Sequence, residues 1–146
     1  MKTSIVILAA ALAFGSTAGA IAKDNTSEYF SHIRSYSVEK VDKAAKNYLV
    51  TLDMENEGVV ESGLAQVAAL KLALPATAFT PLKDKVADLA ASGRTPTIRY
   101  KAYVTLMVFD NPAMFNEECC SNYSDGDQLF VALSKRIQET LFVGSL

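Results

Sequence analysis

The sequence is poor in the residues on which most enzyme chemistry and metal binding depend. Among its 146 residues there are no tryptophans, one histidine and two cysteines. Because His32 is the only histidine, the sequence excludes a metal site with several histidine ligands and a second titrating imidazole. It could belong to a Ser–His–Asp triad, but no nucleophile-elbow pattern accompanies it. We therefore expect His32 to be a surface residue, and the sequence favours a protein without catalytic activity and without a cofactor.

The chain also lacks a strong excess of either charge. It has 14 lysines and arginines against 16 aspartates and glutamates, a net charge of −2. Nucleic acid and anionic membrane surfaces both attract a basic face, so neither is expected as the main partner. The acidic loop between positions 110 and 127 does not have the alternating oxygen ligands of a calcium loop. Ser124 or Asp125 is better explained as the cap of a following helix.

Long apolar runs are missing after the first 20 residues. At the start of the chain, Lys2 precedes an apolar run from Ile5 to Phe14, and Ala18-Gly19-Ala20 matches the pattern that a signal peptidase recognises. The run is too short to span roughly 30 Å of hydrocarbon. We predict a signal peptide over residues 1–20, with cleavage after Ala20 as first choice and after Ala22 as second. After cleavage we expect no stable membrane insertion, and a periplasmic or extracellular location.

The two cysteines, Cys119 and Cys120, are adjacent. Neighbouring Cα atoms lie about 3.8 Å apart, below the range of roughly 4.4–6.8 Å that disulfides prefer, so a bond between the two would be strained. Structural zinc sites usually leave about two to four residues between paired thiolates. Unpaired thiols or mixed disulfides are the simpler expectation, and a redox or soft-metal role is the alternative. In either case the pair cannot join distant parts of the fold.

The rest of the chain divides into a short arm and one helical domain. The arm, residues 21–36, is mostly polar and carries three apolar residues placed to anchor it, Tyr29, Phe30 and Ile33. Residues 37–146 suffice for one domain with one modest core. Long segments with apolar residues three and four apart are typical of helices rather than strands. We therefore predict an all-α domain of about five helices.

The first two helices differ in how their apolar residues are arranged. The first, from about Val38 to Met54, has Ser37 as its cap. Its apolar residues form one stripe, made of Val38, Val41, Ala45, Tyr48 and Leu52. The second helix, from about Val59 to Leu74, is apolar on nearly all sides and ends at Pro75. Because a helix without a polar face is usually internal, we expect the second helix in the core.

Two Thr-Pro pairs predict the starts of the next two helices, because proline is favoured at the first helical position. Thr80-Pro81 predicts a third helix with Thr80 as its cap and Gly93 as its end. Its inward residues are Leu82, Val86, Leu89 and Ala90. Thr95-Pro96 predicts a fourth helix, to about Phe109, again apolar on nearly all sides. A last helix, from about Gly126 to Phe142, has a stripe made of Phe130, Leu133, Ile137 and Leu141.

The helices repeat a pattern of residue classes with a period near 40. At an offset of 38, five positions of the second helix match five of the fourth: Val60, Leu64, Ala68, Ala69 and Leu70 match Ile98, Ala102, Leu106, Met107 and Val108. At an offset of 41, four positions of the first helix match four of the third: Val41, Ala45, Tyr48 and Leu49 match Leu82, Val86, Leu89 and Ala90. Such a period is typical of stacked helical hairpins.

The segments that open the second and fourth helices carry a resemblance to a known class. They are Gly58-Val59-Val60-Glu61-Ser62 and Thr95-Pro96-Thr97-Ile98-Arg99. On these residues the chain resembles the HEAT-like helical-repeat class and is similar to exported, uncharacterised bacterial proteins with such repeats. The resemblance covers about residues 38–112. It implies two antiparallel hairpins in a right-handed array, capped by the arm and the last helix, and a binding surface with no catalytic residues.

Two groups of residues are candidates for specific roles. Glu61 and Arg99 occupy the same repeat position with opposite charge, which predicts a salt bridge between the repeats. The alternative is that both point to water, where such a pair contributes at most about 1 kcal/mol. A second group has the composition of an interface hot spot, namely Arg94, Arg99, Tyr100, Lys101 and Tyr103. The alternative for its tyrosines is a place in the core, with their hydroxyls at its edge.

The sequence therefore predicts an exported, non-catalytic module for protein binding or assembly. Its expected partner is another protein, bound through the surface of the second and fourth helices. The alternative function is that of a small periplasmic redox or metal-handling protein that uses Cys119 and Cys120. No metal-ligand set and no cofactor motif is recognised in the sequence.

Overall fold

The computed structural model describes residues 32–115 and 123–143. Its helices are α1 (Val38–Leu52), α2 (Glu57–Ala73), α3 (Thr80–Ser92), α4 (Pro96–Asp110), a 3-10 turn (Pro112–Met114) and α5 (Gly126–Val143). The described residues contain no strand, and the predicted all-α class is confirmed. The predicted signal peptide, most of the arm and both cysteines, Cys119 and Cys120, lie outside the described residues.

Side-chain caps fix the starts of three helices where the sequence predicts them. Ser37 at α1, Thr95 at α4 and Asp125 at α5 each accept a hydrogen bond from the backbone N–H three residues further on, at 2.9–3.2 Å. Each bond satisfies an N–H group that has no partner inside its helix. The caps at Ser37, Thr95 and Asp125 are therefore confirmed.

The other two helices begin differently from the prediction. Helix α2 starts two residues earlier, at Glu57, because Asn56 caps it by accepting from the Val59 N–H at 3.1 Å. At α3 the predicted cap, Thr80, is wrong: the capping position is Phe79, which makes no side-chain cap bond and has a φ of 48°. This left-handed conformation costs a bulky residue roughly 1–2 kcal/mol. The Phe79 ring packs against the core, and this contact offsets the strain.

Helices α2 and α4 form the centre of the molecule. Helix α2 packs against α1, α4 and α5, and helix α4 packs against α2, α3 and α5. The buried residues number ten of 17 on α2, as an internal helix requires, and six of 15 on α4, whose other side reaches solvent. They are Val60, Gly63, Leu64, Ala65, Val67, Ala68, Ala69, Leu70, Lys71 and Ala73 on α2, and Ile98, Ala102, Val104, Thr105, Val108 and Phe109 on α4.

The three outer helices bury one side each, with differences at their ends. In α3, Leu82 and Val86 are fully buried, as predicted. In α5 the buried residues are Leu129, Phe130, Leu133 and Ile137. Two predicted stripe positions are wrong, because Val38 is 80% exposed and Leu141 is 56% exposed. They lie in the first turn of α1 and the last turn of α5, where an outer helix has less of its neighbour to contact.

Two glycines allow neighbouring elements to approach closely. A Cβ added at Gly63 on α2 would lie 2.8 Å from the Thr51 methyl group on α1. A Cβ added at Gly93, which ends α3 as predicted, would lie 2.6 Å from Leu89 O and 2.8 Å from the Ile98 side chain. The φ of Gly93 is −55°, so its glycine is required by space and not by backbone conformation.

The last residues of the arm lie against the helices. Ile33 is 8% exposed and belongs to the core, so the predicted anchor at this position is confirmed. The neighbouring Arg34 donates from Nε to Ala73 O, at the end of α2, at 3.2 Å. Tyr29 and Phe30, the other two predicted anchors, lie outside the described residues.

Candidate functional site

Lys101 lies where three helices meet. From α4 its Nζ donates to Glu61 Oε2 on α2 at 2.6 Å and to Asp127 Oδ1 at the start of α5 at 2.7 Å. The centre of the Phe130 ring lies 5.5 Å from the same nitrogen. The Lys101 side chain is only 12% exposed, whereas that of Asp127 is 83% exposed. One ammonium group therefore ties α2 and α5 to α4.

The two carboxylates keep Lys101 charged. Burial by itself lowers the pKa of Lys101, but the hydrogen bonds and negative charges of Asp127 and Glu61 outweigh it and raise the pKa above its ordinary value. The stabilisation that this shift gives is present below the ordinary lysine pKa. It is lost only as the pH rises through the raised pKa. At neutral pH this network is therefore a fixed structural support for the α4–α5 surface.

The α4 partner of Glu61 is a different residue from the one predicted. Glu61 pairs with Lys101, while the Arg99 guanidinium donates from Nη1 to Gly93 O at 2.7 Å. Two positions along a helix correspond to a rotation of about 200°, so Arg99 and Lys101 face opposite ways. The structure thus corrects the Glu61–Arg99 pair: the offset of 38 identified the α2 residue but not its partner on α4.

The residues of the predicted patch do not share one surface. Arg94 donates from Nη1 to Glu55 O at 3.1 Å and so faces the connection between α1 and α2. Lys101 is turned inward between the helices. Tyr100 and Tyr103 are each 51% exposed, and the structure places both at the surface and not in the core.

A groove of about 470 Å³ lies between α4 and α5. It is lined from α4 by Thr97, Tyr100 and Lys101, and from α5 by Asp127, Phe130, Val131, Ser134, Lys135 and Gln138. The Tyr100 hydroxyl shares a hydrogen bond with the Ser134 hydroxyl across the groove. Tyr100 therefore belongs both to the groove wall and to the outer face of α4.

Three residues on the solvent side of α4, Tyr100, Tyr103 and Met107, form a surface that we call the tyrosine face. Their spacing of three and four places them on one side of the helix. Met107 is half-buried and packs against the core, while both tyrosine rings reach solvent. Arg94 and Arg99 lie at or before the first turn of α4 and bind carbonyl oxygens. Because a carbonyl group carries no net charge, Arg99, which lies one helical turn before Tyr103, keeps a positive charge beside the tyrosine face.

A second buried lysine was not anticipated from the sequence. Lys71, near the end of α2, is 5% exposed, and its Nζ donates to Pro75 O at 2.8 Å and to Thr77 O at 2.7 Å. Burial, and secondarily the positive charge of Lys83, lowers the pKa of Lys71. The sequence feature that could have predicted its burial is a single lysine in the last turn of a mostly apolar helix, where an ammonium group can bind carbonyl oxygens. Lys71 joins α2 to the loop that follows.

The residues that the structure describes contain no cluster of metal ligands. His32 is exposed, as predicted, and its ring makes an edge contact with Tyr36, with ring centres 5.2 Å apart. Across residues 32–115 and 123–143, no three His, Cys, Asp or Glu side chains are arranged to share a metal ion. In these same ranges no helix has the length and apolar content needed to cross a bilayer.

Comparison with known proteins adds no relative to these observations. No protein-family model matches the chain, and no match is found among the curated proteins or the solved structures. A function can therefore be inferred only from the groove, the tyrosine face and the Lys101 network that holds them.

Proposed function

We propose that this protein is an exported, non-catalytic binding module that holds a helical segment of another protein against the tyrosine face and the adjoining groove. The observation that carries this proposal is the exposure of Tyr100 and Tyr103 on a helix whose opposite side is the core. Tyrosine is enriched at binding hot spots because its ring buries a large area while its hydroxyl keeps a polar partner.

The arrangement of the helices supports a HEAT-like interpretation of the fold. Helix α1 contacts α2, and α3 contacts α4, as the two members of a hairpin would. The first members, α1 and α3, contact each other, and so do the second members, α2 and α4. Two hairpins stacked as repeat units would make these four contacts. In such arrays the stacked helices present extended surfaces on which other proteins bind.

The preferred partner follows from the shape and charge of the surface. A groove between two helices accepts the apolar face of a third helix, with anchors three and four residues apart. Arg99, in the first turn of α4, places a positive charge beside the tyrosine face. We therefore expect an amphipathic helix with acidic residues at the end that lies near Arg99.

The rigidity of the surface favours binding without rearrangement. Lys101 fixes α4 to α2 and α5 through Glu61 and Asp127, and the Tyr100–Ser134 bond spans the groove. A surface that is ordered before binding loses less conformational entropy when its partner arrives. The Lys101 network thus holds the site in one shape before the partner arrives.

The proposal is tested by capturing partners from the extracytoplasmic fraction of the source cells on immobilised protein. The partner should be an amphipathic helix-bearing protein, and a synthetic peptide of that helix should bind. Replacing both Tyr100 and Tyr103 by alanine should weaken its binding about 1,000-fold, since hot-spot residues typically contribute about 2 kcal/mol or more each and about 1.4 kcal/mol is tenfold in affinity.

The matched control carries Val50→Ala, in the last turn of α1, and Met54→Ala, just beyond that helix, two apolar residues that are 59% and 49% exposed. The control should bind the partner as the wild type does. Equal binding by the double tyrosine variant, or no retained partner at all, would contradict the proposed function.

A further inference from the structure

Helix α5 exposes two large apolar residues, among charged and polar ones, on a side on which no helix of the described chain packs. Its core side is formed by Leu129, Leu133 and Ile137, while Val131 is 70% exposed and Phe142 is 68% exposed. Positions 131, 135, 138 and 142 follow a spacing of four, three and four, so they lie on one side of the helix. We define these four residues, Val131, Lys135, Gln138 and Phe142, together with Glu139 at their edge, as the α5 outer face.

The charged side chains on the α5 outer face form only long, exposed ion pairs within the chain. The Glu139 carboxylate lies 4.0 Å from Lys135 Nζ and 3.9 Å from Arg136 Nη1. The side chains of Lys135 and Glu139 are 75% and 50% exposed. Exposed pairs of this kind contribute little, and their partners can be exchanged at small cost.

The order of residues along α5 makes this face complementary to itself. Val131 lies six residues before position 137 and Phe142 lies five residues after it. Lys135 lies two residues before the same position and Glu139 two residues after it. If two copies of α5 pack antiparallel about a two-fold axis near position 137, Val131 meets Phe142 of the other copy, and Lys135 meets Glu139. Each contact then occurs twice.

We propose that a second copy of this chain covers the α5 outer face and forms a two-fold symmetric, reversible dimer. The occupant is a second copy because one face supplies both members of every contact, the apolar pair and the charged pair alike. Such self-complementarity is what a two-fold interface requires. The interface is one helix wide on each side, so it falls below the roughly 1,600 Å² of a standard stable interface, and the dimer is weak.

This dimer is separate from the binding proposed for the tyrosine face, because it needs no other protein. Tyr103 and Met107 on α4 are not part of the α5 outer face. The groove wall contributed by Val131, Lys135 and Gln138 is shared between the two surfaces. Self-association is measured with the purified protein alone, so its failure leaves the tyrosine-face proposal standing, and the reverse also holds.

The test is sedimentation equilibrium of the purified protein and of two charge-reversal variants. Lys135→Glu places two glutamates opposite each other at both symmetric contacts, and Glu139→Lys places two lysines there. Each variant alone should dimerise about tenfold more weakly than the wild type, as expected for two exposed pairs turned from attraction to repulsion. Lys43→Glu, a reversal on the exposed side of α1, should leave the dimer unchanged.

An equimolar mixture of the Lys135→Glu and Glu139→Lys variants distinguishes this interface from any other. In the mixed dimer, the glutamate introduced in one chain would face the lysine introduced in the other. The second contact would keep its native lysine and glutamate, so association should return to the wild-type level. The proposal is overturned if the wild type stays monomeric up to about 1 mM. It is equally overturned if the single variants dimerise as well as the wild type, or if the mixture associates no better than either variant alone.

Discussion

At the scale of single residues, two lysines that hydropathy alone would place at the surface are structural members of the core. Both lie on the central helices, and both are bound by oxygen atoms. They differ in the charge of those oxygens. Lys101 binds two carboxylates, whereas Lys71 binds two backbone carbonyls. This difference sets opposite pKa directions for the two lysines and leads to two separate predictions.

Replacing Lys101 by methionine should destabilise the protein by about 1–2 kcal/mol. The substitution preserves most of the side-chain length but leaves the half-buried Glu61 carboxylate without its partner on α4, and hydrogen bonds to charged groups contribute about that much. Urea unfolding followed by circular dichroism measures the change. Asp127→Asn, at an 83% exposed side chain, should cost clearly less. An equal loss of stability for Lys101→Met and Asp127→Asn would contradict the view that a contact stabilises the protein more when it is more buried.

The stability contributed by Lys71 should rise with pH in the alkaline range. Its folded-state pKa is lowered by burial, so between that pKa and the ordinary value of a lysine the unfolded chain holds more protons than the folded chain. Stability therefore increases with pH in this window, because the neutral amine is less costly to bury. Urea unfolding at several pH values from about 7 to 10 measures the free energy of unfolding of the wild type and of Lys71→Met. As the pH rises, the free energy of the wild type should increase relative to that of the variant. A difference that is flat with pH would contradict this interpretation.

At the scale of elements, the turn between α3 and α4 depends on the space at Gly93. An alanine there would place its Cβ 2.6 Å from a backbone oxygen, and backbone cannot move aside as a flexible side chain can. We expect Gly93→Ala to cost about 1–3 kcal/mol, the usual range for overpacking. Gly58→Ala, in the first turn of α2, is the control, because the nearest atom to its Cβ is the side-chain oxygen of Asn56 at 3.3 Å, which has to move by only a few tenths of an ångström. The control should cost clearly less than Gly93→Ala in thermal unfolding.

The caps are the part of each element that the sequence predicts most directly. Thr95→Ala removes the acceptor for the Ile98 N–H and should lower stability by about 1 kcal/mol. Thr97→Ala, two residues further on at an exposed position of the same helix, should cost little or nothing, since alanine has the higher helix propensity. Chemical denaturation of both variants measures the difference. A similar loss for both would mean that the cap bond adds nothing at this site.

At the scale of the whole molecule, one core spans the described helices, with α2 at its centre. Leu64 on α2 is fully buried, so Leu64→Ala should cost about 3 kcal/mol through the cavity that it leaves. Because the core is continuous, we expect one unfolding transition observed alike by circular dichroism and by tyrosine fluorescence. Val38→Ala, at an 80% exposed position, should change stability by less than about 0.5 kcal/mol. Two separate transitions would contradict the single core.

The sequence by itself determined which segments are helices and that α2 is an internal helix. Spacings of three and four, Thr-Pro starts and side-chain caps are local features, so each element could be predicted from its own residues. The same locality explains the errors at the helix ends. Phe79 replaces Thr80 as the capping position, and Val38 is exposed, because contacts with distant segments decide how much of a helix end is covered.

The tertiary structure alone decided which side chains meet. Residue classes match at an offset of 38, yet Glu61 on α2 meets Lys101 on α4 and not Arg99, because the direction of a side chain depends on the rotation of each helix against its neighbours. The same rotation places Tyr100 and Tyr103 at the surface and Lys71 in the core. Helix identity is a property of neighbouring residues in the chain, whereas a binding surface is a property of helices packed together.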